Sequence, residues 1–144
     1  MVKPSPMQAN KSEMGSLISE RDFTSLMQSF GSLNLEGKVA VAVSGGPDSM
    51  ALVRLANIWA KNNCCAIIGL TVDHQLRDAS SADAKQVAAW FTALGLSHHT
   101  LVWARGPAVG QLDRSPQAEA REARFALMID WCRSNDVHAL MVAH

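Results

Sequence analysis

The sequence has no excess of charge of either sign. Its 144 residues include 13 lysines and arginines and 13 aspartates and glutamates, so the formal net charge at pH 7 is zero. These charges are interspersed along the chain, whereas a surface that holds a polyanion needs a basic patch. The composition therefore shows no electrostatic footprint for a nucleic acid.

Cysteine is scarce, and its spacing fits neither a disulfide framework nor a zinc site. The three cysteines are Cys64, Cys65 and Cys132, an odd number without a Cys-x-x-Cys pair. Disulfide-rich secreted domains carry even numbers of cysteines, and zinc sites need closely spaced pairs of ligands. We therefore expect a reducing, cytoplasmic environment, with Cys64 and Cys65 in the core.

Long apolar runs are also lacking. No stretch reaches the roughly twenty apolar residues of a membrane-spanning helix, so we expect no membrane partner. Residues 1–16 lack the apolar segment of a secretory signal, and we expect residues 1–18 to form a flexible tail. Residues 19–144 can bury a core, because 48% of the chain is hydrophobic.

What the sequence does contain is an alternation of short apolar runs and amphipathic segments. The β-branched apolar run over 38–43 and the apolar run over 65–72 predict buried strands, and two further strands are predicted over 99–103 and 139–143. The segments of helical periodicity predict helices over 19–30, 50–61, 81–94 and 115–135. Strands joined by helical crossovers predict an α/β fold, a doubly wound, mostly parallel sheet with helices on both faces.

The helical periodicity also predicts which side chains are buried. The predicted apolar face of the first helix consists of Phe23, Leu26, Met27 and Phe30. That of the third helix consists of Ala84, Val87, Ala88, Phe91 and Leu94. Core packing is the economical explanation of the four tryptophans, Trp59, Trp90, Trp103 and Trp131.

A loop rich in glycine and hydroxyl groups follows the first predicted strand and lies directly before a helix. Its sequence is Ser44-Gly45-Gly46-Pro47-Asp48-Ser49. Ligands of parallel sheets bind outside the carboxyl ends of the strands. Two glycines let the backbone approach an anion closely, and the free amides at a helix N-terminus favour negative charge. The loop therefore predicts a phosphate site.

Asp48 is the unusual member of this loop. A carboxylate repels phosphate unless a divalent cation bridges the two, so Asp48 implies Mg²⁺ and is the candidate metal ligand. The alternative is an ordinary strand-to-helix turn in which Asp48 or Ser49 caps the helix. The loop lacks both the dinucleotide Gly-x-Gly-x-x-Gly pattern and the Gly-Lys-Ser/Thr of a Walker loop.

The loop resembles that of the N-type ATP pyrophosphatases, or PP-loop family, which cut ATP between the α and β phosphates. Pro47 and the run Val72-Asp73-His74-Gln75-Leu76-Arg77 are similar to the tRNA(Ile)-lysidine synthetases within that family, and the runs at 120–125 and 140–144 extend the match. The resemblance implies an adenine nucleotide alpha hydrolase-like, Rossmann-like fold. It also implies that residues 19–144 are the N-terminal part of the ATP pyrophosphatase domain.

The resemblance implies a reaction as well. ATP, with Mg²⁺, would adenylate the C2 oxygen of the wobble cytidine in tRNA(Ile) with a CAU anticodon, and free L-lysine would then displace AMP. The product, lysidine, changes codon specificity from AUG to AUA. The implied nucleotide-binding residues are Ser44, Gly45, Gly46, Pro47, Asp48, Ser49, Asp73, His74 and Arg121. The implied catalytic residues are Asp48 and Arg124.

The chain departs from the family pattern, and alternatives stay open. The pattern continues past His144 with further carboxylates and tRNA-binding domains, so we expect these 144 residues to bind ATP but not to modify tRNA alone. A tRNA thiolase, an amidotransferase-type synthetase or a non-catalytic nucleotide-binding module would share the loop. A solvated helix face is the alternative for Arg121 and Arg124, and simple exposure for His74. The sequence leaves the oligomeric state and the lysine site open.

Overall fold

The computed structural model describes residues 17–31, 37–75, 78–104 and 115–143. Helices and strands alternate along them in the following order: α1 (Glu20–Ser29), β1 (Lys38–Ala42), α2 (Pro47–Asn62), β2 (Ala66–Asp73), α3 (Asp78–Ala93), β3 (Ser97–Val102), α4 (Pro116–Ser134) and β4 (Leu140–Met141). Each predicted strand and helix is present. The fourth strand is much shorter than predicted, and α2 starts three residues early, at Pro47.

The four strands form one parallel sheet in the order β3-β2-β1-β4. The chain first moves outward from β1 to β2 and β3, and then returns to the other side of β1 to form β4. Crossovers between parallel strands are right-handed, so this reversal places α4 on the face opposite α2 and α3. The predicted doubly wound α/β sheet with helices on both faces is confirmed.

Alternate side chains of β1 supply the two halves of the core. Val39 and Val41 point to one face, where they pack with buried residues of α1, α2 and α3. Ala40 and Ala42 point to the other face, where they pack with Met128 and other residues of α4. These four side chains are at most 4% exposed. The central strand is therefore fixed from both sides up to the residue before the glycine loop.

The predicted starts of α1 and α4 are confirmed by their hydrogen bonds. The Ser19 hydroxyl accepts from the Asp22 amide at 3.1 Å, and the Asp22 carboxylate accepts from the Ser19 amide at 3.0 Å. This reciprocal pair is a capping box. At the start of α4 the Ser115 hydroxyl accepts from the Ala118 amide at 3.2 Å.

Several predictions of burial are wrong. Leu26, Phe30 and Leu94 are between 51% and 61% exposed. Phe30 and Leu94 are exposed because they lie just beyond the last turns of their helices. Leu26 is exposed because α1 buries only a narrow stripe that consists of Phe23 and Met27.

Trp90 and Cys64 are also exposed rather than buried. Cys64 has a φ of 55° and lies in the turn before β2, so its side chain is excluded from the sheet.

None of the helices within the described ranges is long and apolar enough to span a bilayer.

A glycine in the middle of β2 lets α3 lie close to the sheet. Phe91 of α3 is fully buried, and its ring occupies the space above Gly69. A Cβ atom at Gly69 would lie 2.3 Å from Cε1 of Phe91. Any larger residue here must displace the ring or separate α3 from β2.

We predict that Gly69→Ala destabilises the chain by about 1–3 kcal/mol, the usual cost of overpacking a core. The free energy of unfolding is measured by urea denaturation. The double variant Gly69→Ala/Phe91→Leu should recover part of the loss, because a smaller side chain accommodates the new methyl group. Equal stability of Gly69→Ala and the unaltered chain would contradict the close contact.

Candidate functional site

The glycine loop lies at the carboxyl end of the central strand. β1 is flanked by β2 on one side and β4 on the other, so the strand order reverses at this point. In open α/β sheets, ligands bind in the crevice outside such a switch point. The predicted phosphate loop therefore lies where this fold class holds ligands.

The backbone of the loop needs glycine at position 45. Gly45 has a φ of +86°, in the left-handed region that side chains disfavour. A Cβ atom there would lie 3.0 Å from Cγ2 of Val87 in α3. The left-handed backbone at position 45 and the short distance to Val87 thus both favour glycine.

The loop ends at the N-terminus of α2. Gly46 is the N-cap residue, with φ −72° and ψ 164°, and it has no side chain that caps the helix. Helices leave their first amides without intrahelical partners, and these amides attract anions. Pro47 is the first helical residue and supplies no amide, whereas Asp48 and Ser49 follow in the first turn.

The two serines of the loop have different environments. Ser49 is 3% exposed, and its hydroxyl accepts from the Ser44 amide at 3.2 Å and donates to the Gly46 carbonyl at 3.1 Å. The Ser44 and Ser49 hydroxyl oxygens are also 3.2 Å apart. Ser49 therefore holds the loop together from inside, while the exposed Ser44 can reach a ligand.

A cleft of about 170 Å³ opens beside this loop, at the carboxyl ends of β1 and β2. Ser44, His74 and Arg124 line it, so the structure brings together three of the predicted site residues. Thr71 and Asp83 line it too, and the sequence analysis missed both. Thr71 was detectable as a polar residue within an apolar strand, whereas no sequence signal distinguished Asp83.

His74 presents an unsatisfied polar atom in this cleft. Its Nδ1 is buried and has no hydrogen-bond partner among the residues that the structure describes. Burial lowers the pKa of His74, and the nearby Arg124 guanidinium lowers it further, against an opposing effect of Asp73. The ring is therefore uncharged at neutral pH and can form one more hydrogen bond, to a ligand.

Arg124 supplies positive charge to the cleft. Its side chain is half-buried. Burial lowers the pKa of its guanidinium, and the charge of the neighbouring Arg121 lowers this pKa to a smaller extent. The guanidinium nevertheless stays charged at neutral pH. The guanidinium carbons of Arg124 and Arg121 lie 5.7 and 5.8 Å from the centroid of the Phe125 ring. Arg121 is exposed and is not among the residues that line the cleft.

Asp73 and Asp48 occupy contrasting positions. Asp73 is 6% exposed, and its carboxylate accepts from the Gln75 amide at 3.0 Å and from the Ser81 hydroxyl at 2.7 Å. These bonds join the end of β2 to α3, so in this structure Asp73 shapes the loop after β2. Asp48 is exposed on the first turn of α2.

The residues present fit a magnesium ion that is held mainly by a nucleotide. The described part of the chain contains no group of three His, Cys, Asp or Glu side chains that could hold a metal by themselves. Mg²⁺ at phosphate sites commonly uses one or two carboxylates together with phosphate oxygens and water. The single exposed carboxylate of Asp48, beside an anion-binding helix start, suits that arrangement.

Comparisons with curated proteins point to one kind of relative. The chain is similar to the tRNA(Ile)-lysidine synthases of Orientia tsutsugamushi, with 36% identity over 125 residues, and of Wolbachia sp. subsp. Brugia malayi, with 39% identity over 124 residues. These alignments cover 87% and 85% of this chain but 27% of each relative. The chain thus spans about a quarter of their length.

The fold and the family are also established by comparison. The U34-tRNA thiolase NcsA from Methanococcus maripaludis, solved with its [4Fe-4S] cluster, superposes with a TM-score of 0.70 at 16% identity, covering 86% of this chain and 45% of the thiolase. At that identity the likeness shows the fold alone. A family model described as the PP-loop domain matches residues 16–144. The chain therefore belongs to the PP-loop family.

Proposed function

We propose that the chain is the ATP-binding part of a tRNA(Ile)-lysidine synthase. The observation that carries the proposal is the loop Ser44–Ser49, with its left-handed Gly45, beside a cleft that also contains Arg124. The similarity to lysidine synthases, which extends over 87% of the chain, supports this choice of substrate within the family. The reaction would take place in the cytoplasm, on tRNA(Ile) with a CAU anticodon and free L-lysine.

The loop and the cleft provide what nucleotide phosphates require. The amides at the start of α2 and the Ser44 hydroxyl donate hydrogen bonds to phosphate oxygens, and Arg124 neutralises their charge. Asp48 would hold Mg²⁺, which supplies further neutralisation of the pyrophosphate as it leaves. Charge that develops in the transition state is stabilised best by groups that are already in position.

The proposed reaction has two steps. The C2 oxygen of the wobble cytidine attacks the α-phosphorus of ATP, the bond to the β-phosphate oxygen breaks, and pyrophosphate leaves with the electron pair. The lysine side-chain amine then attacks C2, the C2–oxygen bond breaks, AMP leaves, and the amine loses a proton. In the first step this chain would hold ATP and orient its α-phosphate.

The cysteines favour lysine ligation over sulfur transfer. Cys64 and Cys65 precede β2 and so lie at the amino-terminal edge of the sheet, opposite the cleft. Cys132 is buried in α4, and burial raises the pKa of its thiol. A thiolase needs reactive thiolates or a cluster at the nucleotide, and these thiols do not meet that need.

We predict that the 144-residue chain binds Mg-ATP and that Asp48→Asn weakens this binding by about tenfold or more, because one charge-assisted metal ligand is lost. Isothermal titration calorimetry gives the dissociation constants. Without Mg²⁺ the variant should bind ATP at least as tightly as the unaltered chain, because an unbridged carboxylate repels phosphate. Asp130→Asn, at an exposed carboxylate 3.9 Å from Arg133, is the matched control and should change nothing. Absence of Mg-ATP binding by the unaltered chain would overturn the proposed site.

We also predict that Arg124→Gln weakens Mg-ATP binding by about tenfold, in line with the loss of a partly buried charge-assisted hydrogen bond. Arg121→Gln should have a smaller effect, because Arg121 is exposed outside the cleft. Arg133→Gln serves as the control for loss of a positive charge from α4. Equal effects of all three substitutions would show that the chain attracts ATP through its overall charge.

For the complete reaction, we expect the 144 residues by themselves to bind Mg-ATP without forming lysidine, because they correspond to 27% of the relatives' length. A polypeptide of the relatives' full length should release pyrophosphate and AMP when it receives tRNA(Ile), lysine and Mg-ATP. Mass spectrometry of the tRNA nucleosides detects the product. The expectation would be contradicted if the 144 residues alone formed lysidine. If the longer protein bound ATP but released no pyrophosphate, a non-catalytic nucleotide-binding module would be favoured.

A further inference from the structure

A chain of side-chain hydrogen bonds crosses the sheet from its edge to the residue before the phosphate loop. Nε2 of His98, on the edge strand β3, lies 2.8 Å from Oγ1 of Thr71 on β2. The Thr71 hydroxyl in turn donates to the Val43 carbonyl, at 2.9 Å. Thr71 is 7% exposed and also lines the cleft. A buried contact thus connects three strands at the edge of the candidate site.

The directions of these two bonds follow from proton counting. A hydroxyl has one proton, and the Thr71 hydroxyl uses it on the Val43 carbonyl, which can only accept. At its contact with His98 the Thr71 oxygen must therefore accept, so Nε2 of His98 must carry a proton. That proton is present in one neutral tautomer of the ring and in its charged form. Burial, with a smaller effect of His99, lowers the pKa of His98 and so favours the neutral tautomer.

The carbonyl that receives this bond lies where the regular strand pairing stops. The register between β1 and β2 ends at Ala42 and Leu70. One residue later the Val43 amide still donates to the Leu70 carbonyl at 2.9 Å, and the Thr71 hydroxyl holds the Val43 carbonyl. The peptide that joins Val43 to Ser44 is therefore oriented by a side chain.

The orientation of this peptide affects the whole loop. The Ser44 amide belongs to the same peptide plane as the Val43 carbonyl, and it donates to the Ser49 hydroxyl at 3.2 Å. Rotation of that plane would break both bonds. Gly45, with its left-handed backbone, begins one residue later and would move with it.

His98 is itself held from the side of α3. Its ring lies 5.1 Å from the Phe91 ring, centroid to centroid, at an angle of 47°. Phe91 reaches this position because Gly69, which pairs with His98 across the sheet, has no side chain. Packing of α3 against β2 therefore fixes His98, and His98 fixes the Thr71 hydroxyl.

We propose that Thr71 and His98 are positioning residues that set the peptide plane at the entrance of the phosphate loop. Thr71 acts through the Val43 carbonyl, and His98 acts through Thr71. The contacts of His98, Thr71 and Val43 within the chain support this role in the geometry of the loop. Its consequence for nucleotide affinity rests on the proposed function.

The test compares isosteric pairs of variants. Thr71→Val removes the hydroxyl with little change in volume, whereas Thr71→Ser keeps it. His98→Leu removes the donor, whereas His98→Gln places an amide donor near the position of Nε2. Hydrogen exchange of single amides, measured by NMR on the unliganded 144-residue chain, reports loop order. Calorimetry with Mg-ATP reports affinity.

We expect Thr71→Val to speed exchange of the Ser44 amide by about tenfold, the effect of losing one buried hydrogen bond, and His98→Leu to have a smaller effect of the same sign. The Ala40 amide, which donates to Ala139 on the β4 side, should be unaffected. Thr71→Ser and His98→Gln should restore slow exchange. Mg-ATP affinity should fall about tenfold in Thr71→Val and recover in Thr71→Ser.

Two results would overturn the inference. One is unchanged Ser44 exchange in Thr71→Val, and the other is equal acceleration at Ser44 and Ala40, which would indicate general loosening of the sheet. If Thr71→Val does not fold, His98→Leu against His98→Gln decides the question, because His98 lies on the edge strand. Failure of the unaltered chain to bind Mg-ATP would count against the proposed function, while the exchange data would still test the positioning role.

Discussion

The site depends on one constraint, the left-handed turn of the backbone at Gly45 directly against Val87. The turn directs the chain from the end of β1 into α2, and it brings the loop within contact distance of α3. A side chain at position 45 would meet both a disfavoured φ and a 3.0 Å contact. A side chain at this position would therefore strain the backbone of the loop and displace Val87 of α3.

The cleft brings one guanidinium close to the glycine loop, although the carboxylate of Asp83 also lines it. The chain has no net charge, yet the cleft places the half-buried Arg124 beside a histidine that burial keeps neutral. Partial burial strengthens the field of a single guanidinium, because water screens it less. A chain without net charge can therefore still present a local positive charge to nucleotide phosphates. Recognition of a whole tRNA would need surfaces beyond the cleft.

The fold was predictable because it depends on local patterns. Apolar runs such as 38–43 and a serine N-cap such as Ser19 or Ser115 act within a few residues of sequence. The sequence also located the loop, since glycines before a helix start have a local geometric meaning. Burial was less predictable: Leu94 has the right periodicity but lies beyond the end of α3, so it remains exposed.

The composition of the cleft was only partly predictable, because it depends on contacts between distant segments. Arg124 and Arg121 are three residues apart and looked equivalent, yet only Arg124 lines the cleft. That difference is set by how α4 packs on Ala42 and Leu70, and no local pattern encodes it. Thr71 gained its position from a hydrogen bond to Val43, 28 residues away. Asp73, for which a place near the nucleotide remains a prediction, is bonded to Gln75 and Ser81.

Hydrogen bonds within the chain hold the loop in its shape, and this has a consequence for affinity. The Ser49 hydroxyl holds the Ser44 amide and the Gly46 carbonyl from inside, and the Thr71 hydroxyl holds the preceding peptide from the side of β2. Binding costs less when the groups that contact the ligand are already ordered. Through these bonds the hydroxyls of Ser49 and Thr71 reduce the entropy that the loop loses on binding. Two of the six loop residues are glycines, so at those positions only the backbone is available for contact with a ligand.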